Sequence, residues 1–462
     1  MRLFNVYYPE RTVLLAVSEA SLIVLSLLAA TFVLLGSDTG LVLTYEQGYL
    51  KIAVTTAIFM LCMYYYDLYD SLILSNPREV ATRLIQVLGT TCLLQVLVYY
   101  AYRSVQLEQG IFLLGIVLVG VSLGLWRTLF FALNRIPRLA QRAAFLGAGP
   151  LAPVLAGEIK KRPELGMRLV GYFGGGPHSP GSVNGLPCLG GYEDLPARVQ
   201  RERINRIIVA MEDQRGKLPV AGLLQLKTHG LLIEDATDLY EAVTGRVPIQ
   251  SLRPSWLVFS RGFRLSRRVL IYKRLFSVIM SSVALVIALP IMALIALAIW
   301  LDSPGPIIFR QKRMGQGGKF FTLYKFRSMR DGADQDGKPK PAQTNDERFT
   351  RVGCWIRRLH LDELPQLYNI LRGDMYFVGP RPFVPNEEEA FLKEIPFYAQ
   401  RLAVKPGATG WAQVHRGYCS TVEDNAAKLE YDLFYIKNAS VGLDLLTVFK
   451  TIKNFVLGRG AR

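Results

Sequence analysis

Hydrophobic residues are concentrated in five long runs along the 462-residue chain. Four of these runs lie in the first third, at residues 13–36, 50–66, 84–102 and 111–133. A helix needs about 20 apolar residues to cross a bilayer, so each run predicts a transmembrane helix. The first run is too long for a cleaved signal peptide, and further runs follow it directly. The sequence therefore predicts a four-helix transmembrane bundle in residues 1–140.

Positive charges between these runs predict their orientation. The loop at residues 37–48 has no Lys or Arg. Arginines lie before the first run, between the second and third, and after the fourth: Arg2, Arg11, Arg78, Arg83, Arg135, Arg138 and Arg142. Because cytoplasmic loops hold the excess of Lys and Arg, both ends of the bundle are expected on the cytoplasmic side.

Residues 141–250 show a different pattern, in which short buried strands alternate with helical segments. Residues 142–146, 206–210 and 231–233 are typical of strands, so we expect a doubly wound α/β sheet. Gly147 and Gly149 open a Gly-x-Gly-x-x-Ala turn with the spacing of a dinucleotide site. However, Pro150 lacks an N–H, and no acidic residue follows about 20 positions later. A tight structural turn and a nucleotide-binding turn both remain open.

The fifth apolar run, residues 275–301, has dense positive charge on both flanks. A basic linker at residues 251–272 and the pair Lys273-Arg274 precede it. A membrane-crossing helix should show asymmetric flanks. Pro290, in the middle of the run, removes a backbone hydrogen bond and bends a helix. We therefore expect a re-entrant helix that bends at Pro290 and leaves on the side it entered, with an ordinary kinked span as the alternative.

Composition narrows the partners of the chain. The formal net charge is +17, which suits an anionic partner, and the apolar runs favour anionic membrane lipid or a phosphorylated substrate over nucleic acid. The five cysteines lack the spacing of a disulfide framework or a metal site, and the four histidines are dispersed.

The polar residues 302–462 contain paired acids, held bases and Gly/Pro turns. Lys325 and Arg327 would share one face of a strand, where two cations suit a diphosphate; a solvated edge strand is the alternative. Asp362-Glu363, shortly before Pro365, is either a carboxylate pair for chemistry or the charged start of a helix. Arg381 lies between two prolines, which predicts a rigid turn suited to phosphate oxygens or simply an exposed arginine.

Taken in order, these elements resemble a known family. The chain contains KRLFS, Pro290, QKRMGQGG, LYKFRSMR, LDELPQLYN, LRGDM, VGPRP and KPGATGWAQV. Over about residues 273–453 this order resembles the bacterial sugar transferases, which are monotopic polyprenyl-phosphate phosphoglycosyl transferases. The whole chain resembles the long exopolysaccharide and O-antigen initiating form. The resemblance implies a Rossmann-like cytoplasmic domain at 141–250 and a catalytic domain with a re-entrant helix and interfacial helices at 273–462.

The resemblance also implies a reaction. Asp362 would attack the β-phosphate of a UDP-sugar, release UMP and hold a covalent phosphosugar, which polyprenyl (undecaprenyl) phosphate would then accept. Mg²⁺ would lie at Asp362 and Glu363, and Glu363 would hold the metal or accept a proton. The implied phosphate contacts are Lys325, Arg327, Arg357 and Arg381. The implied place is the bacterial inner (cytoplasmic) membrane, with the catalytic domain on the cytoplasmic face, and a homodimer is compatible with the long form.

One departure and two alternatives remain. Family members commonly have Asn after WAQV, whereas this chain has His415-Arg416-Gly417, to which no role is assigned. A membrane nucleotide-sugar dehydratase would need a Tyr-x-x-x-Lys pair, but Tyr431 is followed by Tyr435. A non-catalytic polysaccharide-assembly scaffold would not need Asp362. The sequence leaves the transferred sugar open.

Overall fold

A computed structural model describes residues 2–3, 6–74, 76–134, 140–174, 182–212, 218–252, 256–257, 260, 262–263, 266–330, 332, 348–417 and 421–458. The chain forms two compact units, Tyr7–Leu239 and Tyr240–Arg462, and the second also includes Arg2–Val6. Two short strands, β1 (Arg2–Leu3) and β2 (Val6–Tyr7), lie at the start of the chain.

The first part of the first unit is helical. Its helices are α1 (Glu10–Leu35), α2 (Thr39–Tyr45), α3 (Gly48–Tyr65), α4 (Ser71–Leu74), α5 (Pro77–Ala101) and α6 (Gln109–Asn134). Four helical stretches among its described residues are long and apolar enough to cross a membrane: Glu10–Tyr45, Gly48–Tyr65, Pro77–Ala101 and Gln109–Asn134. They coincide with the four predicted runs, and they make the chain a membrane protein.

A buried ion pair joins the first and last of these helices. Helix α1 packs along α6, and α3 packs along α5. Arg127 Nε donates to Glu19 Oε1 at 2.6 Å, and its Nη1 donates to the Leu68 carbonyl at 3.2 Å. Both charged side chains are almost inaccessible to solvent. Because an unpaired charge in such a place is very costly, this pair fixes how α1 and α6 face each other.

The second part of the first unit is a parallel sheet, as predicted. The strands are β3 (Gln141–Leu146), β4 (Met167–Phe173), β5 (Ser182–Val183), β6 (Leu186–Gly190), β7 (Arg206–Val209) and β8 (Leu232–Asp235). Their order is β5-β6-β4-β3-β7-β8, and β5 alone among these pairs antiparallel. The helices are α7 (Leu151–Lys161), α8 (Leu195–Arg201), α9 (Val220–Thr228) and α10 (Ala236–Thr244), the last of which belongs to the second unit from Tyr240 onwards.

The glycine turn after β3 packs against the segment that follows β7. Gly147 has φ of 92°, and a Cβ there would lie 2.6 Å from Met211 Cγ. A Cβ on Gly149 would lie 2.5 Å from the Ala210 carbonyl oxygen, which accepts the Gly149 N–H at 2.8 Å. This close approach alone accounts for both glycines. It supports a tight structural turn, and nucleotide binding at this turn stays a prediction.

The second unit contains the remaining elements. Its helices are α11 (Arg267–Asp302), α12 (Arg351–Arg358), α13 (Gln366–Arg372), α14 (Pro385–Glu394), α15 (Trp411–His415), α16 (Val422–Asn438) and α17 (Val441–Val456). Strands β9 (Ile308–Met314) and β10 (Phe320–Phe326) form an antiparallel hairpin. Strands β11 (Tyr376–Val378) and β12 (Gly407–Thr409) pair in parallel.

Helix α11 is the fifth helix long and apolar enough to cross a membrane among the described residues. One side of it contacts the rest of the second unit along its length. Ser277 Oγ accepts the Phe377 N–H near the start of the helix, and Asp302 Oδ2 accepts the Val352 N–H at its end. Its other side leaves large apolar side chains exposed, including Val286, Leu294 and Leu301. Pro290 lies within α11 without ending it, and the bend and the re-entry stay predictions.

Two of the arginines that predict the orientation, Arg135 and Arg138, lie outside the described residues. Much of the basic linker 251–272, including Arg261 and Arg264, also lies outside them. Residues 240–250 pack within the second unit, where Trp411 Nε1 donates to the Gly245 carbonyl at 3.1 Å. The predicted division at residues 140, 250 and 272 stays a prediction.

Gly147→Ala should destabilise the first unit by at least about 2 kcal/mol, because alanine is strained at positive φ and its methyl would overlap Met211. The matched control is Gly222→Ala in α9, where a Cβ meets nothing within 4 Å. That change should be neutral or stabilise by about 0.5–1 kcal/mol. Thermal unfolding of both variants in detergent compares them, and equal melting temperatures would contradict the packing described for the turn.

Candidate active site

The predicted carboxylate pair lies on a short connection between two helices. His360, in a left-handed conformation with φ of 55°, ends the segment after α12, and a 3₁₀ turn at Leu361–Glu363 follows. Pro365 then precedes the first residue of α13. Asp362 and Glu363 thus lie on a tight turn directly before a helix rather than inside it, and their side chains point to different surroundings.

Glu363 is held by two cations. Its Oε1 accepts hydrogen bonds from Lys325 Nζ at 2.8 Å and from Arg381 Nη2 at 2.9 Å. Burial by itself raises the pKa of the Glu363 carboxyl, but the Arg381 and Lys325 cations outweigh it and hold the pKa below its usual range. Glu363 is therefore a fixed anion that connects strand β10, the 3₁₀ turn and the loop after β11.

Asp362 has a different environment. It is 7% exposed, and no donor among the described residues makes a hydrogen bond to its carboxylate. Burial raises the pKa of the Asp362 carboxyl, and the neighbouring Lys325 cation opposes the rise without cancelling it. A buried carboxylate without a direct partner is costly, so such a group marks a candidate functional position.

Arg381 lies on a loop that neighbouring backbone holds in place. The Gly379 N–H donates to the Thr409 carbonyl at 2.9 Å, and the Gly407 N–H donates to the Pro380 carbonyl at 3.0 Å. Arg313 Nη1 donates to the Pro382 carbonyl at 3.2 Å. The rigid turn predicted around Arg381 is thus fixed on both sides of the arginine.

The other two predicted phosphate contacts differ. Arg357 lies in the last turn of α12, with its guanidinium 4.7 Å from the centre of the Phe349 ring. Arg327 follows the last residue of β10 and is 4% exposed. It donates to the Pro304 carbonyl at 2.8 Å and to the Ser303 carbonyl at 2.7 Å. The structure therefore brings together Lys325, Glu363 and Arg381, while Arg327 is engaged with the end of α11.

The predicted membrane-entry residues Lys273 and Arg274 make polar contacts with the rest of the second unit. Lys273 Nζ lies 2.5 Å from Tyr435 Oη and 2.5 Å from Asp444 Oδ2, in a fully buried cluster. Arg274 donates to the Ile370 carbonyl at 2.5 Å and so caps the end of α13, the helix that follows the carboxylate pair. Sequence reasoning did not single out Asp444, because only the fold shows that Lys273 is buried and therefore needs an acid as its partner.

The donor chemistry of the site can be compared with what Mg²⁺ needs. Mg²⁺ binds oxygen ligands and usually combines one or two carboxylates with substrate phosphates and water. Asp362 fits this requirement because its carboxylate has no other donor among the described residues. Glu363 fits it less well because its Oε1 accepts from two cations. A metal ion there remains a proposal.

Comparison with known proteins identifies the family. The family model for the bacterial sugar transferases matches residues 268–458, and a CoA-binding domain model matches residues 65–218. A UDP-glucose:undecaprenyl-phosphate glucose-1-phosphate transferase of Klebsiella pneumoniae is 36% identical over 352 residues, 73% of this chain and 72% of the relative. The chain belongs to the bacterial sugar transferase family. The resemblance inferred from the motifs is thereby confirmed.

Two further relatives are named for different sugars. A UDP-N-acetylgalactosamine-undecaprenyl-phosphate N-acetylgalactosaminephosphotransferase of Aeromonas hydrophila is 44% identical over 226 residues, 49% of this chain and 52% of the relative. The Escherichia coli K12 enzyme named UDP-glucose:undecaprenyl-phosphate glucose-1-phosphate transferase is 35% identical over 325 residues, 69% of this chain and 68% of that enzyme. The first three relatives are matched over 52%, 60% and 66% of their own length.

Arg327→Gln should destabilise the second unit by about 3 kcal/mol, because it removes a buried, charged donor that holds the carbonyls of Ser303 and Pro304. The matched control is Arg351→Gln, at an exposed position that begins α12. Its stability should be nearly unchanged. Chemical unfolding of both variants measures the difference. An Arg327→Gln protein as stable as the control would show that the arginine is free for another role.

Proposed function

We propose that this protein transfers a sugar-1-phosphate from a UDP-sugar to polyprenyl phosphate, in bacteria undecaprenyl phosphate, and so begins the assembly of an exopolysaccharide or O-antigen-type glycan. The observation that supports it most is the difference between the paired carboxylates. Glu363 is neutralised by Lys325 and Arg381, while Asp362 beside it has no direct donor among the described residues. The activities for which the relatives are named agree with this reaction class.

In the first step, an oxygen of the ionised Asp362 carboxylate attacks the β-phosphorus of the UDP-sugar. The bond from that phosphorus to the bridging oxygen breaks, and UMP leaves with the oxygen and its electron pair. The sugar-phosphate remains on Asp362 as an acyl phosphate. A covalent intermediate of this kind divides one difficult displacement into two easier ones.

In the second step, a phosphate oxygen of the polyprenyl phosphate attacks the same phosphorus. The bond between the phosphorus and Asp362 breaks, which regenerates the carboxylate and gives a polyprenyl diphosphosugar. The intermediate allows both displacements to use one set of phosphate-binding cations.

Lys325 and Arg381 would contact the substrate phosphates. Both donate to Glu363, so their positive charges lie beside the proposed nucleophile Asp362. Arg357 also lies close enough for its charge to oppose the rise that burial causes in the pKa of Asp362. Fixed cations stabilise the negative charge that develops on phosphate oxygens during each displacement. Mg²⁺ bound at Asp362 together with the substrate phosphates would supply further charge neutralisation.

The proposed location is the bacterial inner membrane, with the second unit on the cytoplasmic face, where UDP-sugars are made. Contacts along one side of α11 support a re-entrant helix, since a crossing helix would pull that unit into the bilayer. Helix α17 supports contact with the lipid surface, because one face of it exposes apolar side chains, and the net charge of +17 favours anionic lipid. The exposed apolar side chains are Leu445, Phe449, Ile452 and Phe455. The four-helix bundle would anchor the chain, as a monomer or a homodimer.

Asp362→Asn should lower UMP release from a UDP-sugar by at least about a thousandfold, because the amide cannot form the acyl phosphate. The assay follows UMP and labelled lipid with UDP-glucose or UDP-N-acetylgalactosamine, Mg²⁺ and undecaprenyl phosphate. Glu389→Gln, an exposed carboxyl on α14, is the control and should retain full activity. An Asp362→Asn enzyme that still released UMP would overturn the mechanism and favour the scaffold or dehydratase alternative.

The pH dependence should follow the ionisation of Asp362. Activity needs the ionised carboxylate, so it is lost as pH falls through a pKa that burial has raised. Lys325→Gln removes the cation that opposes this rise, and the acid limb of kcat/KM should move to higher pH. Lys312→Gln, an exposed lysine on the neighbouring strand β9, should leave the limb in place. A shift of the limb to lower pH in Lys325→Gln would refute the assignment.

A further inference from the structure

A charged network lies buried under the loop that carries Arg381, and the proposed reaction does not use it. Its members are Arg401, Glu388 and Asp432, which are 5%, 0% and 3% exposed. Arg401 Nε donates to Asp432 Oδ2 at 2.7 Å, and its Nη1 donates to Glu388 Oε1 at 3.3 Å. These residues come from three separate segments of the second unit.

This network places two carboxyls around one guanidinium. Burial raises the pKa of both carboxyls, although Arg401 opposes the rise. Buried ionic groups contribute little stability compared with well-packed apolar residues, because desolvation offsets most of their attraction. Stability alone therefore does not explain this arrangement. The remaining donors of Arg401 indicate a further role.

Those donors point at the Arg381 loop. Arg401 Nη2 donates to the Arg381 backbone carbonyl, and the guanidinium lies 4.7 Å from the centre of the Phe383 ring, two residues later. Nη1 also contacts Tyr398 Oη at 3.1 Å. Each nitrogen of the guanidinium thus has an acceptor, and the two carboxyls orient the plane that contacts the loop. A lysine could pair with one carboxyl but could not make these contacts together.

The same segment also supplies the strand beside the loop. Arg401 lies in the 3₁₀ turn Tyr398–Ala403, and β12 follows a few residues later. The Gly407 N–H donates to the Pro380 carbonyl, and Arg401 donates to the Arg381 carbonyl. One stretch of chain thus fixes two consecutive carbonyls, directly beneath the side chain that reaches Glu363.

We propose that Arg401 is a positioning residue: oriented by Glu388 and Asp432, it fixes the Arg381 backbone so that the Arg381 guanidinium meets Glu363 and the substrate diphosphate. This inference rests on the proposed function, in which Arg381 contacts phosphate. It predicts that Arg401 influences the reaction through Arg381 and through no other group.

A double-mutant cycle tests this. Arg401→Lys is made in the full-length chain with Arg381 intact and in the Arg381→Ala background. With Arg381 present, Arg401→Lys should lower kcat/KM for the UDP-sugar at least about tenfold, and in the Arg381→Ala background less than about twofold. A purely structural role predicts the same loss in both backgrounds, and that result would overturn the proposal.

Two further measurements keep the test decisive. Asp432→Asn replaces Arg401→Lys in the same cycle if the lysine variant does not fold, with the same expected coupling. Tyr398→Phe removes a contact of Arg401 that does not involve Arg381, so it should lower stability without changing kcat/KM more than about twofold.

Binding of pyrophosphate separates this inference from the proposed function. Calorimetry measures the affinity for pyrophosphate. Arg401→Lys should weaken this binding when Arg381 is present and leave it unchanged in the Arg381→Ala background. If the wild-type chain releases no UMP but shows this coupling, the proposed function fails and the positioning role stands. If pyrophosphate affinity falls equally in both backgrounds, the positioning role fails whatever the activity.

Discussion

The organisation of the second unit depends on one shared acceptor. Glu363 Oε1 accepts from Lys325 on the β9-β10 hairpin and from Arg381 on the loop after β11, and Glu363 itself lies on the turn between α12 and α13. Three segments far apart in sequence thus meet at one oxygen. Because this carboxylate neutralises two cations, the adjacent Asp362 is left as the anion without a direct donor in the described part of the site. In the proposed reaction, the shared acceptor thus leaves Asp362 as the carboxylate that attacks.

The limits of sequence reasoning differ between the membrane part and the site. The apolar runs predicted the long helices closely, because an uninterrupted apolar run of about 20 residues is typical of a helix that crosses a membrane. The fifth helix begins at Arg267, well before the apolar run at 275. Lys273 and Arg274 can lie within the helix because each has a polar partner. Asp444 pairs with the charge of Lys273, and the carbonyls at the end of α13 accept hydrogen bonds from Arg274. Those partners lie about 100 to 170 residues away and leave no local signal.

For the candidate site, the sequence predicted individual residues but few of the contacts between them. The turn before α13 and the rigid loop at Arg381 followed from Pro365, Pro380 and Pro382. The pairing of Lys325 with Arg327 did not follow, because the strand ends at Phe326 and the arginine turns to carbonyls at the end of α11. Arg401 gave no signal at all, since one arginine in a polar stretch is ordinary until its buried acids are known.

The contact surface of α11 has a consequence for handling the protein. Lys273 compensates Asp444, Arg274 caps α13, and Ser277 accepts a backbone N–H of β11, so the hydrophobic helix supplies polar groups that the rest of the unit needs. Removing the helix to obtain a water-soluble fragment of the second unit would leave a buried acid and unsatisfied carbonyls in its place. Helix α11 is thus part of the folding unit rather than an attached anchor, and the second unit has to be prepared with detergent or lipid around it.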